Sequence, residues 1–249
     1  MKDKNTNILI AGGTSGIGRE LCRLYLAHGC RVAVTGRRQN LLEEIKLSAP
    51  EKVFTFRSDI TDLQSAAVIE QASEAMGGID IIIICSGRGN INADLTPQTE
   101  TDTVKVNVLG FTDFAAAAYR YFAHRFAQTG RQGTLAGISS IASFRGSDLT
   151  PAYYASKAYV SNYLEGLRKK AVKQKTAVKV CTIIPGYVDT PLAESVGGKA
   201  VFWAAPLDKA AKQIYKAVNK GRKITYITKR WRLIAWLLKF VPDFIYNKV

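Results

Sequence analysis

Short apolar runs alternate with segments of helical spacing along most of the chain. Seven runs predict strands, at residues 7–11, 31–35, 52–56, 79–85, 134–139, 177–184 and 223–228. Apolar residues at helical spacing predict helices over residues 17–26, 40–47, 62–76, 98–128, 151–174 and 206–219. Asp62 is a candidate N-cap for the third of these helices.

The regular alternation predicts a fold of the α/β class, because strands that alternate with helices form parallel sheets with right-handed crossovers. The run at 79–85 is almost wholly apolar, which is typical of a central strand covered on both faces. We therefore expect a doubly wound parallel sheet (Rossmann fold) of about seven strands with helices on both faces.

Length and composition favour a single domain. The chain has 249 residues, 47% of them hydrophobic, which is ample for one large buried core. No repeat or Pro/Ser-rich linker divides it. We expect one catalytic and nucleotide-binding domain over residues 1–228, followed by a basic, apolar C-terminal tail over residues 229–249.

Positive charge is concentrated in the last third of the chain. Residues 1–165 carry 17 Lys and Arg against 16 Asp and Glu, whereas residues 166–249 carry 18 against 4. This imbalance indicates either an anionic partner, such as a phospholipid surface or an acidic ligand, or a solvated cationic surface. Nucleic acid is not expected, because the charges are spread over helix, strand and tail without a known binding module.

Cysteine and histidine usage gives no sign of a metal site. The four cysteines form no C-x-x-C pair, and the two histidines are isolated in the sequence. The first seven residues are polar, and no stretch of eighteen uncharged apolar residues is present. We expect no bound metal, and a reduced, cytoplasmic protein that is peripheral to a membrane if its tail binds lipid.

A glycine-rich loop follows the first predicted strand. Gly12, Gly16 and Gly18 stand between an apolar run and the start of a helix, where glycine lets the backbone approach a pyrophosphate and the helix N-terminus attracts it. The strand-turn-helix context makes this a strong sign of a dinucleotide. The same loop also supplies Thr14, Ser15 and Ile17 as candidate cofactor contacts.

The second predicted strand ends without an acidic residue. Arg37 and Arg38 follow it, where a carboxylate would bind the ribose 2′-hydroxyl of NAD and repel a 2′-phosphate. A guanidinium donates two charge-assisted hydrogen bonds to phosphate. We therefore predict NADP(H) as the cofactor.

Tyr153 and Lys157 are four residues apart on a predicted helix and so share one face. Ser140 lies thirteen residues upstream of Tyr153 at the end of a predicted strand, and Asn107 lies on the long helix 98–128. Tyr154 is a rival for the tyrosine role, but it is three residues from Lys157.

Together these motifs resemble the short-chain dehydrogenase/reductase family. The loop is similar to the family's T-G-x-x-x-G-I-G, with Ala11 in place of Thr, and residues 58–62 are similar to its D-[VIL]-T-D segment. Residues 185–190 look like P-G-x-[VI]-x-T. The family's N-N-A-G is replaced here by Ile-Cys-Ser-Gly at residues 84–87, which leaves the sheet-stabilising hydrogen bonds of those Asn side chains in doubt.

The resemblance implies a role for each matching residue. Asn107, Ser140, Tyr153 and Lys157 would form the catalytic set, with Asn107 ordering a water that relays protons to Lys157. Lys157 would also hold the nicotinamide ribose, and Asp59 would contact adenine. Further cofactor contacts would come from Ile60, Ser86, Gly87, Pro185, Gly186, Val188 and Thr190.

Carbonyl reduction explains these residue types. The product alkoxide needs a proton, and a phenol with a pKa of about 10 donates poorly at neutral pH. We expect the ammonium of Lys157 to lower the pKa of Tyr153 and Ser140 to bind the carbonyl oxygen. The predicted activity is hydride transfer between NADP(H) and a carbonyl or secondary alcohol; the alternative is a non-enzymatic NADP(H)-binding sensor or scaffold at a membrane surface.

Three further expectations concern partners. Residues 193–205, with paired glycines and aromatic residues, form either a lid over an apolar or lipid-like substrate or an ordinary loop. The tail binds an anionic membrane surface, packs on a neighbouring subunit, or is exposed to solvent. The family resemblance implies a homodimer or homotetramer, and the small residues 115–118 would permit either helix pairing between subunits or internal packing.

Overall fold

The computed structural model describes residues 6–196 and 204–246, and within these ranges the chain forms one parallel sheet covered by helices. The strands are β1 (Asn7–Ala11), β2 (Arg31–Gly36), β3 (Val53–Arg57), β4 (Ile81–Ile84), β5 (Gly133–Ile138), β6 (Val178–Pro185) and β7 (Ile224–Ile227). They lie in the order β3-β2-β1-β4-β5-β6-β7, and every neighbouring pair is parallel. The predicted doubly wound fold is confirmed.

Ten helices connect and flank these strands in the described part of the chain. They are α1 (Gly16–Ala27), α2 (Gln39–Ser48), α3 (Ser65–Met76), α4 (Pro97–Val104), α5 (Phe111–Thr129), α6 (Pro151–Lys173), α7 (Pro191–Ser195), α8 (Leu207–Asn219), α9 (Arg230–Phe240) and α10 (Asp243–Tyr246). The helix predicted over residues 98–128 is α4 and α5, joined without a break by a π-helical turn at Lys105–Gly110. Such turns occur frequently at functional sites.

The sheet divides the apolar core into two layers. Along β1, Ile8 and Ile10 point to the layer covered by α1, α2 and α8, whereas Leu9 and Ala11 point to the layer covered by α3, α5 and α6. This alternation follows from the two-residue period of a strand. Because the chain reverses its direction of winding between β1 and β4, a crevice opens at the carboxyl ends of these two strands.

The predicted cap of the third helix is wrong. Asp62 belongs to a short 3₁₀ turn, Ile60–Asp62, which is capped by Asp59, and the chain then passes through Leu63 with φ 54°. The helix α3 begins three residues later, at Ser65, whose backbone N–H donates to Asp113 Oδ2 at 3.0 Å.

The small residues 115–118 pack inside the subunit. Ala115, Ala117 and Ala118 on α5 are all buried in the layer formed with α3 and α6. Of the two readings of this segment, internal packing is the one that the structure supports.

The described part of the C-terminal tail forms α9 and α10. Trp231 and Ala235 of α9 are buried, and Arg145 holds the next segment by donating to Val241 O and pairing with Asp243. The division of the chain at residue 228 stays a prediction. No helix in residues 6–196 and 204–246 is long and apolar enough to cross a membrane.

Candidate active site

A cleft of about 570 Å³ lies at the carboxyl ends of the strands. Every predicted cofactor or catalytic residue lines it except Asn107. The predicted residues on its wall are Gly12, Thr14, Ser15, Gly16, Ile17, Gly18, Arg37, Arg38, Asp59, Ile60, Ser86, Gly87, Ser140, Tyr153, Lys157, Pro185, Gly186, Val188 and Thr190.

The glycine loop is held tightly between β1, β2 and β4. The backbone N–H groups of Gly12 and Gly13 both donate to Thr35 O, at 3.1 and 3.2 Å. Gly12 has φ +80°, and a Cβ there would lie 2.6 Å from the backbone nitrogen of Ser86. Only glycine fits this position, since a side chain would strain the backbone and strike the loop after β4.

The start of α1 fits the pyrophosphate of a dinucleotide. Ser15 stands at the N-cap, but its side chain makes no capping hydrogen bond. The first N–H groups of the helix can therefore donate to a ligand. Those N–H groups and the helix dipole favour an anion at this end. A Cβ at Gly18 would lie 2.2 Å from Gly12 O, so the helix packs directly on the loop.

A cluster of one guanidinium and two hydroxyls lies at one end of the cleft. Arg38 Nη2 donates to Thr14 Oγ1 and to Ser15 Oγ, each at 3.0 Å. Arg37 has a different partner, and its Nη1 lies 3.3 Å from Asp59 Oδ2. The two arginines therefore differ: one lies over the glycine loop and the other pairs with the predicted adenine contact.

Asp59 is held as a carboxylate. Partial burial acts to raise its pKa, but hydrogen bonds from the backbone and side chain of Thr61 and the charge of Arg37 outweigh it and lower the pKa. Ile60 follows directly and packs on the π-helical turn, where a Cβ at Gly110 would lie 2.6 Å from Ile60 O. The segment after β3 is thus fixed against the long helix.

Tyr153, Lys157 and Ser140 meet at the other end of the cleft. All three side chains are buried, and Ser140 lies close enough to Tyr153 to act on its pKa. Lys157 Nζ lies 5.6 Å from the centroid of the Tyr153 ring and donates to Ile138 O at 3.1 Å. The predicted three residues are therefore close together.

The expectation that Lys157 lowers the pKa of Tyr153 is wrong in this structure. Burial raises the pKa of Tyr153 to about 12, Ser140 opposes the rise and Tyr187 adds to it. Burial also lowers the pKa of Lys157 to about 8. Burial is the largest cause of both shifts, and neither residue is among the groups that shift the pKa of the other.

Asn107 lies behind the cleft wall. Its Oδ1 accepts from the Arg88 backbone N–H at 2.8 Å, and its Nδ2 donates to Arg88 O at 2.7 Å and to Ser156 Oγ at 2.9 Å. Ser156 in turn donates to Tyr153 O at 2.7 Å. Asn107 thus ties the loop after β4 to the helix that carries Tyr153, and its predicted water relay stays a prediction.

Tyr154, the rival tyrosine, lies on the outer side of Tyr153. Their ring centroids are 6.1 Å apart. Burial and the neighbouring Tyr187 and Tyr246 raise the pKa of Tyr154, and Lys157 is not among the groups that shift it. The structure places Lys157 against Tyr153 instead.

The segment after β6 completes the wall opposite the glycine loop. Gly186 donates to Ile227 O at 2.7 Å, and Thr190 caps α7 by accepting from the Ala193 N–H. A Cβ added at Gly16 would lie 3.6 Å from the methyl group of Thr190. The glycine loop and the loop after β6 therefore face each other. Cys85, a free thiol, lines the cleft beside Lys157, and burial raises its pKa to about 12.

Several residues that form or support the cleft wall lie outside the predicted set, among them Arg88 and Trp231. Arg88 lines the cleft and its Nη2 lies 3.3 Å from Asp102 Oδ2. Trp231, from the C-terminal tail, packs on Gly186 from behind. No local motif marks either residue, although the adjacency of Arg88 to Gly87 is a weak signal.

The predicted lid lies only partly in the described chain. Residues 197–203, which include the paired glycines and Trp203, lie outside the described residues. Before them, Ser195 Oγ donates to Gly89 O at 2.7 Å, and after them Ala205 forms a parallel bridge with Val188. The lid stays a prediction.

Comparison with known proteins identifies the family. The family model for short chain dehydrogenases matches residues 6–200, so the chain belongs to the short-chain dehydrogenase family. A hydroxysteroid 11-beta-dehydrogenase 1-like protein B from Xenopus laevis is 27% identical over 226 residues, covering 86% of this chain and 75% of the relative.

Two solved structures share the fold. A short chain dehydrogenase from Burkholderia cenocepacia in complex with NADP superposes with a TM-score of 0.81 at 20% identity, covering 100% of this chain and 98% of the other. A short chain dehydrogenase/reductase from Burkholderia phymatum in complex with NAD gives a TM-score of 0.83 at 16% identity, covering 95% and 94%. These two likenesses show the fold, and the two relatives are bound to different nucleotides. The match to the family model makes the chain an oxidoreductase of this family.

Proposed function

We propose that this protein transfers hydride between NADP(H) and a carbonyl or secondary alcohol, with Tyr153 as the general acid and base. The observation that carries the proposal is the meeting of Tyr153, Ser140 and Lys157 in the cleft that also contains the glycine loop. Bound NADP(H) would supply the hydride.

The chemistry of the three side chains follows from their positions. Tyr153 keeps its proton at neutral pH, because burial raises its pKa, and it therefore serves as a donor to the oxygen of a reduced carbonyl. The hydroxyl of Ser140 shares the same oxygen site and stabilises the charge that develops there. Lys157, charged below a pH of about 8, would hold the ribose of the nicotinamide nucleotide beside Tyr153.

The choice of NADP(H) over NAD(H) rests on Arg38. Its guanidinium, Thr14 Oγ1 and Ser15 Oγ form a cluster of donors beside the glycine loop, where a 2′-phosphate would find charge-assisted hydrogen bonds. No carboxylate stands between Gly36 and Arg38 to bind a free 2′-hydroxyl. The structural relatives, one with NADP and one with NAD, do not decide the question.

The substrate end of the cleft favours an apolar ketone or alcohol. Beyond Tyr153 its wall includes Tyr154, Tyr187, Leu192 and Val196, which are aromatic or aliphatic. The likeness to a hydroxysteroid dehydrogenase-like protein supports the same class of substrate. We infer an apolar, lipid-like carbonyl compound.

The test is a panel of carbonyl compounds assayed by loss of reduced-nicotinamide absorbance with NADPH and with NADH. We expect turnover of apolar ketones with NADPH, at least tenfold faster than with NADH at equal concentration. A tenfold preference for NADH would overturn the cofactor assignment. Binding of NADPH without turnover of any carbonyl or alcohol would favour the non-enzymatic sensor. No observation in the described residues supports that alternative.

The assembly and the cellular location of the protein are predicted from the sequence alone. A homodimer or homotetramer, which the family resemblance implies, stays a prediction. The alanine face that offered helix pairing between subunits is buried within the subunit. Sedimentation velocity of the purified protein tests it, and a monomer at micromolar concentration would contradict it. A cytoplasmic location likewise stays a prediction.

A further inference from the structure

The helix α9 is apolar on both of its sides. Trp231 and Ala235 face the protein and are buried, with Ile234 and Leu238 partly buried beside them. The opposite side is formed by Leu233, Trp236, Leu237 and Phe240, and α10 adds Phe244 and Ile245. An amphipathic helix on a protein surface turns a polar side outward, so the outer side of α9 departs from that pattern.

These six exposed side chains lie within thirteen residues of one another in the chain, and together we call them the α9–α10 face. Their exposed fractions range from 45 to 69%. At 100° per residue, the four on α9 occupy one continuous arc of the helix, and the rings of Trp236 and Phe240 lie 5.2 Å apart. Exposed apolar clusters of this kind mark sites of interaction.

Cations border the α9–α10 face. Lys229, Arg230, Arg232 and Lys239 lie beside the apolar arc, whereas the described tail has one acidic residue, Asp243, which pairs with Arg145. A helix that presents apolar and aromatic side chains bordered by Lys and Arg is typical of a segment that lies in a membrane interface.

Charge also decides between lipid and a second copy of the chain. A symmetric contact through the α9–α10 face would bring the cations of both copies together, and the one carboxylate of the described tail, Asp243, is already paired with Arg145. An anionic lipid surface attracts the same cations and accepts the aromatic rings. We propose that the α9–α10 face binds the surface of an anionic phospholipid membrane.

The α9–α10 face lies next to the substrate end of the cleft. Tyr246 of α10 lies close enough to Tyr154 in the cleft wall to raise its pKa, and its hydroxyl donates to Gly146 O at 2.8 Å. Trp231 packs against Tyr187, with 5.7 Å between ring centroids. A protein docked by this face therefore holds its substrate cleft beside the lipid.

Flotation with vesicles of phosphatidylcholine, alone or mixed with phosphatidylglycerol, tests the proposal without cofactor or substrate. The result is therefore independent of the proposed reaction. We expect at least about tenfold more of the full chain to float with the mixed vesicles, and added salt to reduce the difference. No flotation of the full chain with the mixed vesicles would overturn the proposal.

Two double variants and one matched control locate the contact. Trp236→Ser with Phe240→Ser removes outward apolar groups, and Lys229→Glu with Arg232→Glu reverses two charges. Each should lower flotation about tenfold or more. Leu47→Ser, on the exposed side of α2, should float like the unaltered chain.

Two results would contradict this location. The first is equal flotation of the Trp236→Ser, Phe240→Ser variant and the unaltered chain. The second combines sedimentation and flotation: without vesicles the unaltered chain sediments as a dimer and this double variant as a monomer, and neither protein floats. That result would assign the α9–α10 face to a second copy of the chain. Far-UV circular dichroism confirms that each variant is folded.

Discussion

The indole ring of Trp231 lies directly on Gly186. A Cβ at residue 186 would sit 2.0 Å from Cε2 of that ring, and the ring is itself buried. Gly186 is one of the predicted cofactor contacts, so a residue of the C-terminal tail supports the predicted cofactor site from behind. The shape of this loop therefore depends on a contact between segments 45 positions apart in the chain.

Gly186→Ala should destabilise the protein and weaken cofactor binding. The new methyl group has no space, because Trp231 is buried and has little room to move, and overpacking costs about 1–3 kcal/mol. Urea unfolding and NADPH titration measure the two effects. Gly166→Ala is the matched control: nothing lies within 4 Å of a Cβ there, so this helical position should be neutral or gain stability. Equal stability of Gly186→Ala and the unaltered protein would contradict the packing.

Arg38→Ala should weaken binding of NADPH much more than binding of NADH. The guanidinium lies over Thr14 and Ser15, and loss of a hydrogen bond to a charged group costs about 1.5–3 kcal/mol, or roughly ten- to a hundredfold in affinity. Arg37→Ala is the comparison, and its effect should be smaller because the charge of Arg37 is paired with Asp59. Fluorescence titration with both nucleotides measures the ratio, and an equal loss for NADPH and NADH would refute a 2′-phosphate contact.

The buried amine of Lys157 should make stability depend on pH. Its pKa is about 8 in the folded protein and 10.5 in the reference state, so between these values the unfolded chain binds more protons. The free energy of unfolding therefore rises with pH through this window, by at most about 1.4 kcal/mol for each pH unit. Below pH 8 the amine of Lys157 is charged in both the folded and the unfolded protein, so the free energy of unfolding no longer changes with pH through this group.

Lys157→Met removes the titrating group and provides the reference. Urea unfolding of both proteins from pH 7 to pH 10 should show the unaltered protein gaining stability relative to the variant as pH rises. Curves that stay parallel over this range would show that the amine is not desolvated as the structure describes.

Much of the fold and of the cofactor site could be predicted because their signals are local. The glycine loop needs no partner beyond the strand before it and the helix after it, so Gly12, Gly16 and Gly18 identify it without any tertiary contact. The spacing of Tyr153 and Lys157 is also a local signal, because residues four apart lie on the same face of a helix.

The rest depends on contacts that the sequence does not reveal. Burial decides the pKa of Tyr153 and of Lys157, and how deeply a side chain is enclosed depends on elements far away in the chain. The support of Gly186 by Trp231 is equally remote. The start of α3 at Ser65 was missed because Asp59 caps a separate 3₁₀ turn and the chain must reverse at Leu63 before the helix begins.

The central claim is that Tyr153, and not its neighbour Tyr154, transfers the proton. The most direct test is the single-turnover rate of ketone reduction by the Tyr153→Phe and Tyr154→Phe variants, each saturated with NADPH. We expect Tyr153→Phe to bind NADPH normally and lose at least about a hundredfold in rate, since general acid catalysis contributes 10²–10⁴-fold. Tyr154→Phe should stay within a few-fold of the unaltered enzyme. A Tyr153→Phe enzyme that reduces the ketone at the unaltered rate would contradict the account.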